Sequence, residues 1–234
     1  MSFVLHASRA VCALLEALEA HGLTVAESAD FSAFKACYEL FRGVPVNPIF
    51  DVERQTLDGI WLAMEDGEGV CHAIQAVRFL GPATGDLASH LAVHLRDFVP
   101  LGHGVEAATS EVVSSAAQGM TGTLAYHGEF YIAPSHRRRG LAALGIRLGQ
   151  LAAWLRWHPD VFFGITIPDS STQGFADRMG YGGFEQRAIA WRDAAGLPRY
   201  DEGLVWSGPA HMRALSNDPF LRRAKSSLGC AAEQ

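Results

Sequence analysis

The residues best suited to chemistry lie in the stretch Tyr131 to Ala142, which reads Tyr-Ile-Ala-Pro-Ser-His-Arg-Arg-Arg-Gly-Leu-Ala. An apolar strand-like run ends at Pro134, and a helix is predicted to follow at once. The first amides of a helix have no partner within it and carry partial positive charge, so they form an anion site suited to phosphate or pyrophosphate. Gly140 lets the backbone approach such an anion without a side chain in the way, and Ala142 permits a second close approach.

Three consecutive arginines, Arg137, Arg138 and Arg139, stand out in a chain whose net charge is −6. They could form an ordinary solvated helix start. Each cation at a helix N-terminus, however, opposes the helix dipole by about 0.3–1 kcal/mol. Three together are unfavourable without an anion, so we interpret them as part of the anion site.

The spacing Arg137-x-x-Gly140-x-Ala142 resembles the acyl-CoA signature of the GNAT superfamily of N-acetyltransferases, Arg/Gln-x-x-Gly-x-Gly/Ala. Ile132 and Pro134 match the Val-x-Pro that usually precedes it. In that family the loop amides hold the pyrophosphate of CoA, and the strand edge pairs with the pantetheine arm. The resemblance therefore implies that acetyl-CoA is the acyl donor and that no metal is required.

A second segment extends the resemblance. Phe175 to Tyr181 is similar to the family's Phe-Tyr-Glu-Lys-x-Gly-Phe, and Asp169 falls where the family commonly has Asn. The resemblance covers roughly residues 22 to 207. The donor-binding residues that it implies are Ile132, Ala133, Arg137, Arg138, Arg139, Gly140, Leu141, Ala142, Asp169 and Phe175.

The chain departs from the family at two positions. The Tyr that often protonates the leaving thiolate is replaced by Ala176, and the Glu of some members would fall at Gly164. The resemblance implies transfer of an acetyl or other acyl group to an amine by direct attack. Because of the departures, a non-catalytic acyl-CoA sensor or interaction domain is the alternative, and hydrolysis of acyl-CoA is a third.

The general base is sought on the predicted strand Thr123 to Ala133. Regular alternation places Ala125, His127, Glu129 and Tyr131 on one face and Leu124, Tyr126, Gly128, Phe130 and Ile132 on the other. Neighbours on one face lie about 6.5–7 Å apart, so His127 and Glu129 would border one cleft. Glu129, acting through water, is the predicted base, and His127 is its alternative. Both side chains could instead point only to solvent or to a covering loop.

The elements that position these residues follow from hydrophobic periodicity and turn signals. The predicted helices are 8–21, 30 or 32 to 41, 87–98, 106–118, 136–157 and 170–179, and the predicted strands are 23–27, 60–64, 70–80, 123–133, 161–167, 184–192 and 203–207. This order predicts an α/β fold of GNAT type: a mixed, mostly antiparallel sheet, helices on both faces, and a splayed parallel strand pair at the CoA site.

Composition limits the other functions. The chain has 234 residues and no sharp composition shift, so we expect one acyltransferase domain over residues 1–234, with an extra N-terminal helix at 1–21, an insertion at about 81–122 and a tail at about 208–234. A net charge of −6 does not favour nucleic acid as a partner. No membrane span or signal peptide is predicted. The expected partner is an amine on a small molecule or a protein, and a homodimer is compatible with the sequence.

Cysteine and histidine spacing gives no metal site. Four separated cysteines without a C-x-x-C pattern indicate reduced thiols in the cytoplasm. His90 and His94 have metal-ligand spacing on a predicted helix, but no third ligand is evident, so we predict surface or packing histidines.

Overall fold

The structure is a computed structural model that describes residues 3–52, 58–94, 109–166, 174–193, 195–218 and 220. Asp169, Cys230 and the tail beyond residue 220 lie outside the described residues. The helices are α1 (Phe3–Glu19), α2 (Phe31–Arg42), α3 (Leu87–His94), α4 (Leu141–Trp157), α5 (Phe175–Met179) and α6 (Pro209–Leu215). The strands are β1 (Thr24–Ser28), β2 (Asp58–Glu65), β3 (Cys71–Pro82), β4 (Thr109–Val112), β5 (Thr123–Ile132), β6 (Val161–Thr166), β7 (Gly183–Arg192) and β8 (Pro198–Ser207).

The strands form one eight-stranded sheet in the order β1-β2-β3-β5-β6-β8-β7-β4. Only β5 and β6 pair in parallel, and every other neighbouring pair is antiparallel. The crossover from β5 to β6 is made by α4, as a parallel pair requires. The predicted fold class, a mixed and mostly antiparallel sheet with one parallel pair, is confirmed.

Helices cover both faces of the sheet. On the first face, α1, α4, α5 and α6 bury one apolar cluster, in which Leu14, Leu148 and Phe162 are fully or almost fully buried. On the second face, α2 and α3 bury another cluster that contains Phe34 and Phe163. We call these the α4 face and the α2 face.

Local signals account for the α2 boundaries. The carboxylate of Asp30 accepts hydrogen bonds from the amides of Ser32 and Ala33 at 2.9 and 3.1 Å, which is a helix N-cap. At the other end, Gly43 adopts the left-handed conformation with φ +72° and donates to the carbonyl of Glu39. The cap and helix predicted from the sequence are confirmed.

One predicted helix boundary and one predicted helix are wrong. The helix expected from His136 begins instead at Leu141, because Pro134–His136 forms a short 3-10 turn and Gly140 enters the left-handed region before α4. The helix expected over residues 106–118 is absent from the described part, which starts at Thr109. There β4 pairs with β7, and a 3-10 turn follows at Ala117–Gly119.

Candidate active site

The strands β5 and β6 separate soon after they meet. Their parallel ladder joins Leu124, Ala125 and Tyr126 to Val161, Phe162 and Phe163. Beyond that point β5 continues to Ile132 and β6 to Thr166 without further pairing between the two. The gap lies between the strand ends, as predicted, and leaves backbone groups of β5 facing it.

Ile132 shows which backbone groups face the gap. The amide of the next residue, Ala133, donates to the carbonyl of His72 on the β3 side at 2.8 Å. Because hydrogen-bonding groups alternate along a strand, the amide and carbonyl of Ile132 point to the opposite side. Its carbonyl there accepts from Nε of Arg137 at 3.0 Å. Arg137 therefore joins the loop after β5 to the edge of the gap.

A bulge interrupts β5 beside the gap. Gly128 pairs with Ala76 and Tyr131 with Ile74 on β3, so Glu129 and Phe130 together oppose the single residue Gln75. Glu129 has φ +53°, in the left-handed region that non-glycine residues rarely adopt. The extra residue in β5 is a β-bulge, a feature that redirects side chains near active sites.

The bulge overturns the predicted alternation. Phe130 and Ile132 pack in the core of the α4 face, whereas Tyr126 and Tyr131 belong to that of the α2 face. Glu129 also lies on the α2 face, beside residues of α2. The expectation that His127 and Glu129 share one cleft is therefore wrong.

The loop after β5 makes a sharp turn at the place where the sequence predicts an anion site. Arg138 has φ +61° and Gly140 has φ +80°, and together they turn the chain into α4. The first internal bonds of α4 run from the amides of Ala143 and Leu144 to the carbonyl of Gly140, so the amides before them point out of the helix end. A Cβ on Gly140 would meet no atom within 4 Å apart from those of its chain neighbours, so the space beside this residue is open.

That space is a cavity of about 710 Å³, which we call the loop cavity. Six of the predicted donor-binding residues line it: Ile132, Arg137, Arg138, Gly140, Leu141 and Ala142. Ala133, Arg139 and Phe175 are described residues that do not line it. The structure thus brings together the strand end, two of the three arginines and the start of α4.

Glu129 lies in a cluster of donors provided by α2 and the loop after it. The hydroxyl of Tyr38 and the amide of Asn47 donate to its carboxylate, and Nη1 of Arg42 lies 3.6 Å from Oε2. Burial raises the pKa of Glu129 above its ordinary value, and these three neighbours only partly oppose that effect. A carboxylate with a raised pKa is a better proton acceptor, as a general base requires.

His127 lies on the α4 face in a closed chain of hydrogen bonds. Nε2 of Gln75 donates to the carbonyl of Gly145 at 2.8 Å, which turns Oε1 of Gln75 towards Nε2 of His127 at 2.9 Å. Nδ1 of His127 then accepts from the hydroxyl of Tyr181 at 2.7 Å. Burial lowers the pKa of His127 to about 4, so the ring is neutral near pH 7.

The chain order of these parts decides the fold. An antiparallel pair, β2 and β3, leads into β5. The anion loop and α4 follow, then a parallel strand that diverges from β5, and finally the antiparallel pair β7 and β8. The GNAT resemblance implies this arrangement, and β4 adds one strand at the edge beside β7. The chain has the GNAT-type fold.

Known structures of this fold are similar to the chain. FeeM, an N-acyl amino acid synthase from uncultured soil microbes, is 16% identical over 82% of this chain and 94% of its own, with a TM-score of 0.46. NAA60 of Arabidopsis thaliana, in complex with a bisubstrate analogue, is 11% identical over 79% and 99%, with a TM-score of 0.43. BjaI, a CoA-dependent acyl-homoserine lactone synthase, is 9% identical over 84% and 89%, with a TM-score of 0.40.

All three likenesses are distant. No protein-family model matches the chain, and no curated protein matches it either. The assignment of the GNAT-type fold therefore rests on the strand order, the diverging pair and the loop of this chain.

Packing explains both departures from the GNAT pattern. A Cβ on Gly164 would lie 3.0 Å from the carbonyl oxygen of His127, so a Glu there would push β6 away from β5. Ala176 is 8% exposed and packs in the core of the α4 face. Neither Gly164 nor Ala176 has a side chain that could accept or donate a proton.

Several site residues were not predicted from the sequence. Arg147, Asp177, Arg178, Met179 and Phe220 also line the loop cavity. Arg147 could have been noticed, since it and Gln150 are polar residues within the apolar α4 segment. Its guanidinium is buried and donates to the carbonyls of Ala143 and Arg178 at 3.2 and 2.7 Å. Tyr38, Arg42 and Asn47 carry no comparable sequence signal.

Other predicted groups are also placed. His90 is buried, and the rings of His90 and His94 lie 4.6 Å apart. Within the described ranges, no three His, Cys, Asp or Glu side chains are arranged to hold a metal ion. Cys37 and Cys71, distant in sequence, are within hydrogen-bonding reach, and burial raises the pKa of Cys71 to about 12. In the same ranges, no helix combines the length and apolarity needed to cross a membrane.

Proposed function

We propose that the chain transfers an acyl group, in the first instance acetyl, from CoA to an amine acceptor. The observation that carries this proposal is the loop cavity, which opens at the end of β5, beyond the point where β5 and β6 stop pairing, and is lined by the start of α4 and two arginines. Oriented amides and guanidinium groups favour a pyrophosphate. The gap between the strands offers the backbone of Ile132 to an extended pantetheine arm.

In the proposed reaction the acceptor nitrogen attacks the thioester carbonyl directly. The new C–N bond forms, the C–S bond breaks, and CoA leaves as a thiolate. Glu129 takes the proton from nitrogen through water, since an amine attacks only when it is unprotonated. The thiolate leaves unassisted or takes a proton from Tyr131 or solvent, because Ala176 has none to give.

His127 is the weaker candidate for the base. Both of its ring nitrogens already have partners in the core, and its neutral form is fixed by burial. Glu129, in contrast, lies next to a partly exposed arginine at the bulge. We therefore retain Glu129 in the catalytic role. Free thiols at Cys12, Cys37 and Cys71 support the cytoplasm as the compartment.

The discriminating experiment incubates the protein with acetyl-CoA and a panel of amines while free thiol is measured. Thiol release that depends on an amine supports the transferase. Release without an amine would make the protein a hydrolase. Binding of CoA without release would make it an acyl-CoA sensor.

The site itself is tested with Gly140→Asp, which places a carboxylate in the loop cavity. We expect no measurable CoA binding by calorimetry. The matched control is Gly22→Asp, because Gly22 has φ +77°, equally open surroundings and a place at the end of α1. Each variant costs about 1–2 kcal/mol for its backbone conformation, so folding is checked by thermal melting. Equal CoA affinity in the two folded variants would contradict the site.

A further inference from the structure

Arg42 stands beside the proposed base, at the last turn of α2. Its Nη1 lies 3.6 Å from Oε2 of Glu129 and donates to the hydroxyl of Tyr38. Glu129 already accepts from Tyr38 and from the amide of Asn47. At 3.6 Å, Arg42 adds charge near the carboxylate rather than a close hydrogen bond.

The guanidinium of Arg42 has donors to spare. Within the described residues, its hydrogen bond to Tyr38 and its ion pair with Glu129 both run through Nη1. The side chain is 40% exposed, compared with 11% for Glu129. A planar guanidinium presents its nitrogens as a fork that matches the two oxygens of a carboxylate. Arg42 can therefore bind an anion from solvent while it stays next to Glu129.

Aromatic rings hold Arg42 in place. Its guanidinium carbon lies 5.3 Å from the ring centre of Tyr131 and 5.7 Å from that of Tyr38. Arg137 of the anion loop contacts the Tyr131 ring at 5.3 Å as well. Such cation–π contacts reduce the freedom of a long side chain before any ligand arrives. The position of Arg42 is thus set by the same strand that carries Glu129.

We propose that Arg42 binds a carboxylate of the acceptor, which makes the acceptor an α-amino acid. This proposal rests on the proposed acyltransferase function. In an α-amino acid the nitrogen and the carboxylate oxygens are bonded to neighbouring carbons and lie about 3 Å apart. Because Arg42 lies beside Glu129, with 3.6 Å between Nη1 and Oε2, a carboxylate bound to its outer nitrogens would place the neighbouring amine within reach of a water held by Glu129. An amine acceptor without a nearby anionic group would give these nitrogens of Arg42 no ligand.

A different role for Arg42 makes a different prediction. If Arg42 only lowers the pKa of Glu129, its loss would affect all amine acceptors to the same extent. If it binds the acceptor carboxylate, its loss would affect amino acids far more than their uncharged analogues. The ratio of the two rates separates these roles, because the intrinsic reactivity of each amine cancels between wild type and variant.

The test uses acetyl-CoA with phenylalanine, phenylalaninamide and phenethylamine, and with leucine and leucinamide. We expect wild type to prefer each acid over its amide, and Arg42→Gln to reduce that preference by about tenfold to a hundredfold, mainly through KM. Arg42→Lys should keep part of it. Arg156→Gln is the matched control, since Arg156 is 48% exposed, contacts the Trp157 ring at 5.3 Å and pairs with Glu27 at the far end of α4. Its preference should equal that of wild type.

The outcomes also distinguish a failure of the Arg42 proposal from a failure of the proposed acyltransferase function. No thiol release with any amine would overturn the proposed function itself. If thiol is released as fast or faster with the amides and phenethylamine than with the amino acids, the transferase proposal stands and the proposed role of Arg42 is wrong. An equal fall in rate with all acceptors in Arg42→Gln would mean that Arg42 acts only on the pKa of Glu129 and does not bind the acceptor. Thermal melting of each variant shows that the protein compared is folded.

Discussion

Strand β5 carries two titratable side chains, His127 and Glu129, in opposite surroundings. His127 lies inside the α4 face, and Tyr181 and Gln75 use both of its nitrogens. Glu129 lies on the α2 face, where it receives donors but remains next to the partly exposed Arg42. Burial acts on both, and it shifts both pKa values in the direction that favours the neutral form. The direction of the pKa shift therefore does not distinguish the two candidates for the base, whereas their partners and their distance from the surface do.

The largest expected effect is on catalysis at Glu129. Glu129→Gln keeps the size and the hydrogen-bond acceptor but cannot take a proton, so kcat/KM should fall by at least tenfold and up to about 10²–10⁴-fold, with unchanged CoA affinity. His127→Gln is the control on the other face. Steady-state kinetics measures both. Near-full activity in both variants would mean that the base is another residue. An equal fall in both would mean that Glu129 cannot be preferred over His127 as the base.

A smaller effect is the loss of folding stability in acid that the protonation of His127 should cause. Its pKa is about 4 in the folded protein and near 6.5 when unfolded. Because the folded value is depressed, stability falls as pH drops through 6.5 towards 4, by at most about 3 kcal/mol. In His127→Gln this part of the acid slope should disappear, as urea denaturation at pH 7 and pH 4.5 would show. The same slope in variant and wild type would mean that His127 is not held neutral.

Glu202, on β8, is a buried carboxyl group on the α2 face. Its titration should change stability in the opposite pH direction to that of His127. Glu202 is 3% exposed, accepts from Nε1 of Trp191 at 2.7 Å, and burial raises its pKa from 4.5 to about 7. Stability is then present below 4.5 and is lost as pH rises to 7, again by at most about 3 kcal/mol. Glu202→Gln keeps the acceptor for Trp191 and should stabilise the protein at pH 8 more than at pH 5. Equal effects at both pH values would contradict the raised pKa.

The smallest expected effect comes from Tyr38→Phe, which removes one donor to Glu129. That hydrogen bond lowers the pKa of Glu129, so its loss should move the acid limb of the kcat/KM profile to higher pH. Because Asn47 and Arg42 remain, the rate at pH 7 should fall only about two- to tenfold. A profile that does not move would show that Glu129 does not control the acid limb.

The sequence was sufficient for the parts of the site that are continuous in the chain. The loop from Arg137 to Ala142 could be predicted because its residues lie together and their types favour one kind of ligand. The Glu129 cluster could not, since Tyr38 and Arg42 come from a helix about ninety residues earlier, and only the folded sheet brings them to β5.

Bulges and strand interruptions limited the rest. Alternation along β5 was correct up to Gly128 and failed afterwards, because nothing in Gly128 to Tyr131 announces an extra residue. Similarly, an apolar and alanine-containing segment before Gln118 suggested a helix, but pairing with β7 made residues 109–112 a strand. In both cases a neighbouring strand, and not local preference, decided the conformation.

The bulge also bears on how such a site could arise in evolution. Glu129 and Phe130 occupy the place opposite Gln75 that one residue fills in a regular strand, while Tyr131 and Ile132 keep their partners on β3. Inserting a single codon into a regular ancestral strand would thus add an acidic side chain on the α2 face without changing any contact downstream. Conversely, deleting Phe130 alone would turn Glu129 towards α4 and remove the proposed proton acceptor from the α2 face, although every residue from Arg137 to Ala142 would be unchanged.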